Sequence, residues 1–149
     1  MANRVARAIK QYKKAISDKK KFPEIMKDVL EESDIVLEVL DARFIGESRN
    51  KLIEEGLKAQ GKRIIYVANK SDLTKKRKNL RNLVYVSCKK RKGVGRLRSI
   101  IKAEAKKVKE PLDEKSKKVF VGVIGHPNTG KSSVINLLVG RSSAPYSKQ

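Results

Sequence analysis

A chain of 149 residues is long enough for one domain of ordinary size. Its 37 lysines and arginines against 16 aspartates and glutamates give a net charge of +21, which indicates a polyanionic partner such as nucleic acid, or else a heavily solvated surface. No apolar run could cross a bilayer and the N-terminus has no signal core, so we expect no membrane contact. The single cysteine and single histidine exclude an internal disulfide and a zinc site. We therefore expect a reducing, cytoplasmic location.

Residues 1–33 are predicted to form a basic helical segment. Apolar side chains recur at helical spacing, with lysines and arginines between them, at Val5, Ile9, Tyr12 and Ile16. Pro23 suits the first turn of a second helix, and Asp34 follows as a break.

From residue 34 onwards, short apolar runs alternate with amphipathic stretches. Strands are predicted at 35–40, 63–68, 83–86 and 119–124, and helices around 52–57, 97–108 and 131–139, with a polar linker at 110–117. Such alternation implies right-handed crossovers and a mainly parallel sheet with helices on both faces. The predicted fold class is therefore α/β.

The run Gly125-His126-Pro127-Asn128-Thr129-Gly130-Lys131-Ser132, here called the phosphate loop, fits G-x-x-x-x-G-K-[ST] between a predicted strand and a predicted helix. In such a loop the backbone N–H groups face the α- and β-phosphates. Lys131 would neutralise the β and γ oxygens and is the catalytic candidate, while the hydroxyl of Ser132 would bind Mg²⁺. The predicted nucleotide-binding residues of this region are Asn128, Thr129, Gly130, Lys131, Ser132 and Ser133. The alternative is a glycine-rich turn with a chance lysine.

Asn69-Lys70-Ser71-Asp72 follows the second predicted strand, at the edge where open α/β sheets bind ligands. The carboxylate of Asp72 can accept hydrogen bonds from N1–H and N2–H of guanine, a donor pair that adenine lacks. Asn69 would connect the base site to the phosphate loop, and the stem of Lys70 would cover one face of the base. Asn and Asp after a strand also form ordinary turns, which is the alternative.

Ser87-Cys88-Lys89 ends the third predicted strand and resembles S-A-K, in which a backbone N–H meets O6 of guanine and the lysine stem covers the other face of the base. Cys88 replaces the usual alanine, and a buried apolar role suits it better than a redox role. The sequence therefore carries three nucleotide-binding motifs at the ends of parallel strands.

The two guanine motifs precede the phosphate loop, which reverses the order of Ras-like domains. In this the sequence resembles the circularly permuted GTPases of the YlqF/YawG type, which assist assembly of the large ribosomal subunit. The resemblance runs from Asp34 to the end and includes Asp41-Ala42-Arg43 and Ser48-Arg49-Asn50, similar to the family's D-A-R-x-P-x-S-R-N. Ile45 and Gly46 stand where the family often has proline and a variable residue.

The resemblance implies a Ras-like P-loop GTPase sheet in which the strand from residue 119 pairs with that from residue 35, and the strands from 63 and 83 lie outward in turn. It also implies binding of GTP or GDP with Mg²⁺, and a potassium ion near Asn128. The family's later switch threonine and D-x-P-G motif are not in the 149 residues. We therefore expect 34–149 to be an incomplete G domain ending in the first switch, from a parent that hydrolyses GTP, with hydrolysis by this chain left open.

Between residues 73 and 103 there are twelve basic residues and no acidic one, which suits phosphate contacts with structured ribosomal RNA or a large-subunit precursor. Lysine-rich solvated loops are the alternative. A rival function is an RNA-binding module with vestigial or regulatory nucleotide binding and no turnover. A second rival, an ATP-using phosphotransferase, is disfavoured by Asp72 and the motif order.

Overall fold

The computed structural model describes residues 2–17, 24–109 and 118–140. The helices are α1 (Ala2–Ser17), α2 (Glu24–Glu32), α3 (Ile45–Ser48), α4 (Lys51–Ala59), α5 (Val94–Lys109) and α6 (Lys131–Val139). The strands are β1 (Ile35–Asp41), β2 (Arg63–Asn69), β3 (Leu83–Tyr85) and β4 (Val121–Gly125), and one 3-10 turn spans Ser71–Leu73. The predicted α/β class is confirmed.

The four strands form one parallel sheet in the order β3-β2-β1-β4. Ile35 at the start of β1 lies opposite Arg63 of β2 on one side and Val121 of β4 on the other. The strand before the phosphate loop therefore lies beside the first strand of the chain. This is the predicted order, and β4 beside β3 would have contradicted it.

Side chains on β1 alternate between two apolar layers. Leu37 faces the layer that contains Leu97 of α5 and Val134 of α6, whereas Leu40 faces the layer that contains Leu57 of α4. Because both faces are covered, β1 and β2 are buried along nearly their whole length. This burial explains the continuous apolar runs in the sequence.

α1 lies along α4 and contributes to the core. Tyr12 is 1% exposed and belongs to the same apolar layer as Leu57. At Gly56 of α4, an added β-carbon would lie 2.1 Å from the Cβ of Tyr12, so only glycine leaves room for this helix contact. α1 therefore packs on the domain that follows it, and the predicted boundary after residue 33 stays a prediction.

Two local features differ from the sequence prediction. The pattern does not predict α3, a helix of four residues. β4 begins at Val121 instead of residue 119, because the carbonyl of Phe120 is shared by the N–H groups of Asp34 and Ile35 and the regular ladder starts only beyond it. Pro23 and the predicted linker at 110–117 lie outside the described residues. Within the described ranges, no helix is long and apolar enough to cross a membrane.

Candidate functional site

The three predicted motifs meet at one edge of the sheet. Asn69 is the last residue of β2, Ser87 follows β3, and Gly125 ends β4 and begins the phosphate loop. The strands are parallel, so their carboxyl ends lie together, and ligands of open α/β sheets bind at this edge.

The phosphate loop depends on backbone conformations that favour glycine and asparagine. Asn128 and Gly130 have φ angles of 67° and 92°, in the left-handed region. A β-carbon at Gly130 would lie 2.4 Å from Nδ2 of Asn69. Thr129 between them is buried, and its hydroxyl donates to the carbonyl of His126 at 2.8 Å. The loop is thus held both by its own contacts and by β2.

Lys131 is folded back across the loop. Its Nζ donates to the carbonyl of Gly125 at 2.7 Å, and burial lowers the pKa of the amine. A cation at this point compensates the loop carbonyl and can exchange that contact for phosphate oxygens. Ser132, half-buried, and Ser133, exposed, occupy the first turn of α6.

Asn69 connects the three loops. Its Nδ2 donates to the carbonyl of Thr129 at 2.9 Å, and its Oδ1 accepts from the N–H of Cys88 at 3.3 Å. The side chain is 4% exposed, so both contacts lie away from water. One amide therefore fixes the phosphate loop relative to both guanine motifs.

Lys70 makes a second connection. It has φ of 63°, and its Nζ donates to the carbonyl of Asn128 at 2.6 Å. The same ammonium lies 3.8 Å from Oδ2 of Asp41 at the end of β1. The aliphatic stem of Lys70 therefore lies between the base motif and the phosphate loop.

Asp72 is exposed and is held by the third motif. The hydroxyl of Ser87 donates to Oδ1 of Asp72 at 2.8 Å, and this bond, with the charges of Lys89 and Lys90, keeps the pKa of Asp72 below its usual value. The carboxylate is thus ionised and oriented. A carboxylate discriminates most strongly between bases when it is buried, whereas that of Asp72 is exposed. A nucleotide bound over Asp72 would itself have to shield the carboxylate from water.

A tight turn carries Ser87, Cys88 and Lys89. Ser87 and Lys92 exchange two backbone hydrogen bonds of 3.0 Å each, which close the turn. Cys88 is half-buried and burial raises the pKa of its thiol, so the thiol is protonated at neutral pH and behaves as an apolar group. Lys89 is exposed at the tip.

The end of β1 forms a further wall that the motif analysis did not assign to the site. Asp41 accepts from the guanidinium of Arg43 at 2.8 and 3.0 Å, and its N–H donates to the hydroxyl of Ser48 at 3.2 Å. An open cavity of about 360 Å³ separates this wall from the phosphate loop at His126 and Asn128. Asp41-Ala42-Arg43, which is similar to part of a family signature, was the available signal for this wall.

The residues present fit a magnesium ion held mainly by a nucleotide. No group of three His, Cys, Asp or Glu side chains suited to a metal occurs among the described residues. Mg²⁺ commonly keeps several waters and takes its remaining ligands from phosphates and one or two side chains. Ser132, beside Lys131 at the start of α6, is the side chain suited to this role.

Comparison with known proteins assigns the chain to a family. Residues 120–149 match the family described as 50S ribosome-binding GTPase. The chain is 41% identical over 134 residues to a GTP-binding protein of Methanocaldococcus jannaschii, covering 84% of this chain and 34% of the relative. It is 33% identical over 142 residues to nuclear GTP-binding protein NUG1 of Saccharomyces cerevisiae, and this match covers 83% of this chain and 27% of the relative. It is 36% identical over 125 residues to nucleolar GTP-binding protein 2 of the same yeast, and this match covers 74% of this chain and 24% of the relative. The guanine motifs precede the phosphate loop, whose strand lies beside β1. The chain belongs to the circularly permuted GTPases.

The chain spans about a third or less of the length of these relatives, between 24% and 34%. The predicted cytoplasmic location is wrong, because two of the relatives are named as nuclear and nucleolar proteins. The prediction rested on one cysteine and the lack of a signal core, and nuclear proteins share both features with cytoplasmic ones.

Proposed function

We propose that the carboxyl edge of the sheet binds GDP and GTP, with the nucleotide lying across the loops that Asn69 connects. The observation that supports this most directly is the pair of hydrogen bonds from Asn69 to Thr129 and Cys88. They hold a phosphate-binding loop and two base-binding motifs in a fixed relation through contacts within the protein itself. Such preorganisation lowers the ordering free energy of binding.

In this proposal the base is read by Asp72, which accepts from N1–H and N2–H of guanine, while the N–H groups of the Ser87–Lys89 turn face O6. The stems of Lys70 and Lys89 cover the two faces of the base. Ser87 acts on Asp72 by directing its carboxylate, through the 2.8 Å hydrogen bond. Adenine offers no matching donor pair and is rejected.

The phosphates lie on the backbone N–H groups of Asn128, Thr129 and Gly130 and on the first turn of α6, including Ser133. Lys131 releases the carbonyl of Gly125 and neutralises β- and γ-phosphate oxygens. Ser132 holds Mg²⁺, which supplies charge neutralisation at the phosphates when bound. For potassium, Asn128 lies exposed within the phosphate loop, and a comparison of GTP turnover in potassium and sodium salts tests that role.

We further propose that a protein of the relatives' length hydrolyses GTP during assembly of the large ribosomal subunit, with residues 34–149 forming part of its G domain and residues 1–33 a basic helical segment. The family described as 50S ribosome-binding GTPase supports this. Twelve basic residues lie between 73 and 103, and the exposed lysines among them at Lys75, Lys76, Lys89 and Lys90 follow the two guanine motifs closely in the chain and suit contacts with ribosomal RNA phosphates.

Titration of the 149-residue chain with fluorescent GDP, GTP and ADP in the presence of Mg²⁺ tests the proposal. We expect saturable binding of both guanine nucleotides and at least tenfold weaker binding of ADP. Equal affinity for GDP and ADP, or binding of neither, would favour the rival function, an RNA-binding module whose nucleotide site is vestigial.

A further inference from the structure

A glutamate lies inside the most apolar strand of the sheet. Glu38 interrupts the run Ile35–Asp41 and is 1% exposed. Its Oε1 accepts the backbone N–H of Asn50 at 2.8 Å, just before α4. Its Oε2 has no donor among the described residues. An ionised carboxylate in such a place would leave a charged oxygen buried and unpaired, which is strongly unfavourable.

The neighbour of Glu38 is a second buried carboxyl group. Glu54 of α4 is 2% exposed and accepts three hydrogen bonds: from Nε and Nη2 of Arg49 at 3.1 and 2.6 Å, and from the hydroxyl of Tyr66 at 2.6 Å. Glu54 is therefore the ionised member, balanced by one guanidinium. Both carboxyl groups belong to one buried cluster, because Tyr66, which donates to Glu54, lies opposite Glu38 in the sheet, and Asn50, which donates to Glu38, directly follows Arg49. Two carboxyl groups that approach each other in such a place require a proton on one of them.

We propose that Glu38 and Glu54 share one proton, with Glu38 as the neutral acid that donates to Glu54, and that this pair is a positioning device for the wall of the nucleotide site. Neutral Glu38 satisfies both of its oxygens: Oε1 accepts from Asn50, and Oε2 carries the proton towards Glu54. The shared proton depends on the buried cluster alone, whereas the positioning role rests on the proposed nucleotide-binding function.

Residues 48–50 connect the buried glutamates to the cavity beside the phosphate loop. Asn50 is the N-cap of α4, where its own side chain accepts from the N–H of Ile53. Arg49 and Ser48 precede it, and Ser48 accepts from the N–H of Asp41. Ser48 and Asp41 line the cavity beside the phosphate loop. The hydrogen bond from Asn50 to Glu38 thus ties the far end of this wall to β1.

Of the ionisable groups that face Glu38, the charge of Glu54 favours the neutral acid, whereas the charge of Arg49 opposes it. Glu54 and Arg49 lie on the α4 side, and Tyr66 pairs with Glu38 from β2, whereas the residue opposite on β4 is Ile124. Burial, opposed by the N–H of Asn50 and reinforced by the charge of Glu54, raises the pKa of Glu38 to about 8. Burial would also raise the pKa of Glu54, but hydrogen bonds from Arg49, Tyr66 and Glu38 hold it below its usual value. Further out in the same layer, Tyr12 is buried and Lys58 lies 6.0 Å from the ring of Tyr66.

The sign of the pH effect follows from the raised pKa of Glu38. Between about pH 5 and pH 8, the folded protein keeps this proton while the unfolded chain has lost it. The contribution to stability is complete below the usual glutamate pKa of 4.5, falls as the pH rises, and is gone above about 8. One retained proton changes the folding equilibrium constant by up to about tenfold per pH unit in that window.

Glu38→Gln is the decisive variant, because its amide donates permanently to Glu54 while its oxygen still accepts from Asn50. We expect urea unfolding of the 149-residue chain between pH 5.5 and 7.5 to show a folding constant that falls with pH more steeply, by one proton, in the wild type than in Glu38→Gln, and this difference in slope should disappear above about pH 8. Glu38→Ala should be less stable than Glu38→Gln at every pH, and its folding constant should have the same shallower dependence on pH as that of Glu38→Gln. Equal slopes in the wild type and Glu38→Gln would overturn the proposal.

A direct spectroscopic measurement keeps the proposal testable if a variant fails to fold. In the wild-type chain labelled at glutamate side-chain carboxyl carbons, one of these carbons should keep the chemical shift of a protonated acid up to about pH 8. The amide proton of Asn50 should titrate with the same midpoint, since it donates to the same carboxyl group. If all glutamate carbons titrate below pH 6, Glu38 is ionised at neutral pH and the proposal is wrong.

Discussion

Asn69 donates its side-chain amide to the backbone carbonyl of Thr129, sixty residues further along the chain, at 2.9 Å. The bond joins the end of β2 to the phosphate loop, and the other end of the amide accepts from Cys88. Asn69→Ala should leave the N–H of Cys88 and the carbonyl of Thr129 without this partner. We expect GDP affinity to fall by about tenfold or more, because the loops lose their preorganised relation. Isothermal titration of GDP measures this, and an unchanged affinity would contradict it.

Gly130→Ala should damage the site more than the same change at another left-handed glycine. The new β-carbon would lie 2.4 Å from Nδ2 of Asn69, at a φ angle of 92°. Gly140 is the matched control, with φ of 73° and nothing within 4 Å of the added carbon. We expect Gly140→Ala to be destabilised by about 1 kcal/mol from backbone strain alone, and Gly130→Ala by a further ~1 to 3 kcal/mol.

Thermal unfolding and GDP titration of both variants distinguish the two sources of destabilisation. Weaker GDP binding is expected only in Gly130→Ala, since Gly140 lies at the far end of α6. Similar losses of stability and affinity in the two variants would contradict the close approach of Asn69 to the loop.

Much of this site was predictable because the motifs are local, and their meeting edge follows from parallel strands. The runs at β1 and β2 also predict buried strands directly, since both faces are covered. α3 was not predictable, because its four residues are held by tertiary bonds such as that from the N–H of Asp41 to Ser48. Glu38 and Glu54 lie on two different elements, β1 and α4, so the sequence shows only a charged residue inside an apolar strand.

Ser87→Ala tests whether Ser87 orients Asp72. Loss of the 2.8 Å hydrogen bond frees the carboxylate to rotate and lets its pKa rise towards the ordinary value. We expect a few-fold to about tenfold loss of GDP affinity with little change in ADP affinity. Ser99→Ala is the control, because the hydroxyl of Ser99 donates only to the carbonyl of Gly95 on the exposed face of α5. Equal effects of the two substitutions would argue against a specific role for Ser87.

Gly56→Ala tests the packing of α1 on α4. The added carbon would overlap the side chain of Tyr12, so we expect destabilisation by ~1 to 3 kcal/mol in urea unfolding. Gly95→Ala is the control, since Gly95 lies in the first turn of α5 with nothing within 4 Å, and alanine there should be neutral or stabilising by up to about 1 kcal/mol. A Gly56→Ala variant as stable as the wild type would mean that α1 does not pack on α4.

The basic surface beside the base-binding edge should dominate RNA binding. Arg77 is a poor probe of it, because its guanidinium stacks 4.4 Å from the ring centre of Tyr85 and supports the loop. The four exposed lysines to replace by glutamine are Lys75, Lys76, Lys89 and Lys90. The salt dependence of binding to structured RNA should flatten by up to about 4 units on a logarithmic plot.

Four basic residues of α1 provide the control for this surface, replaced by glutamine in the same way: Arg7, Lys10, Lys13 and Lys14. We expect this control to keep most of the wild-type slope. A slope that flattens only in the α1 variant would move the RNA contact to that helix.

The most direct test of guanine recognition is Asp72→Asn, measured with GDP, ADP and xanthosine diphosphate. The amide turns one acceptor into a donor, which suits O2 of xanthine and opposes N2–H of guanine. We expect GDP affinity to fall by roughly tenfold or more and xanthosine diphosphate affinity to rise, with ADP remaining weak. Asp28→Asn, at an exposed position of α2, should keep the wild-type preference. Unchanged GDP affinity in Asp72→Asn, with no gain for xanthosine diphosphate, would contradict guanine binding at this edge.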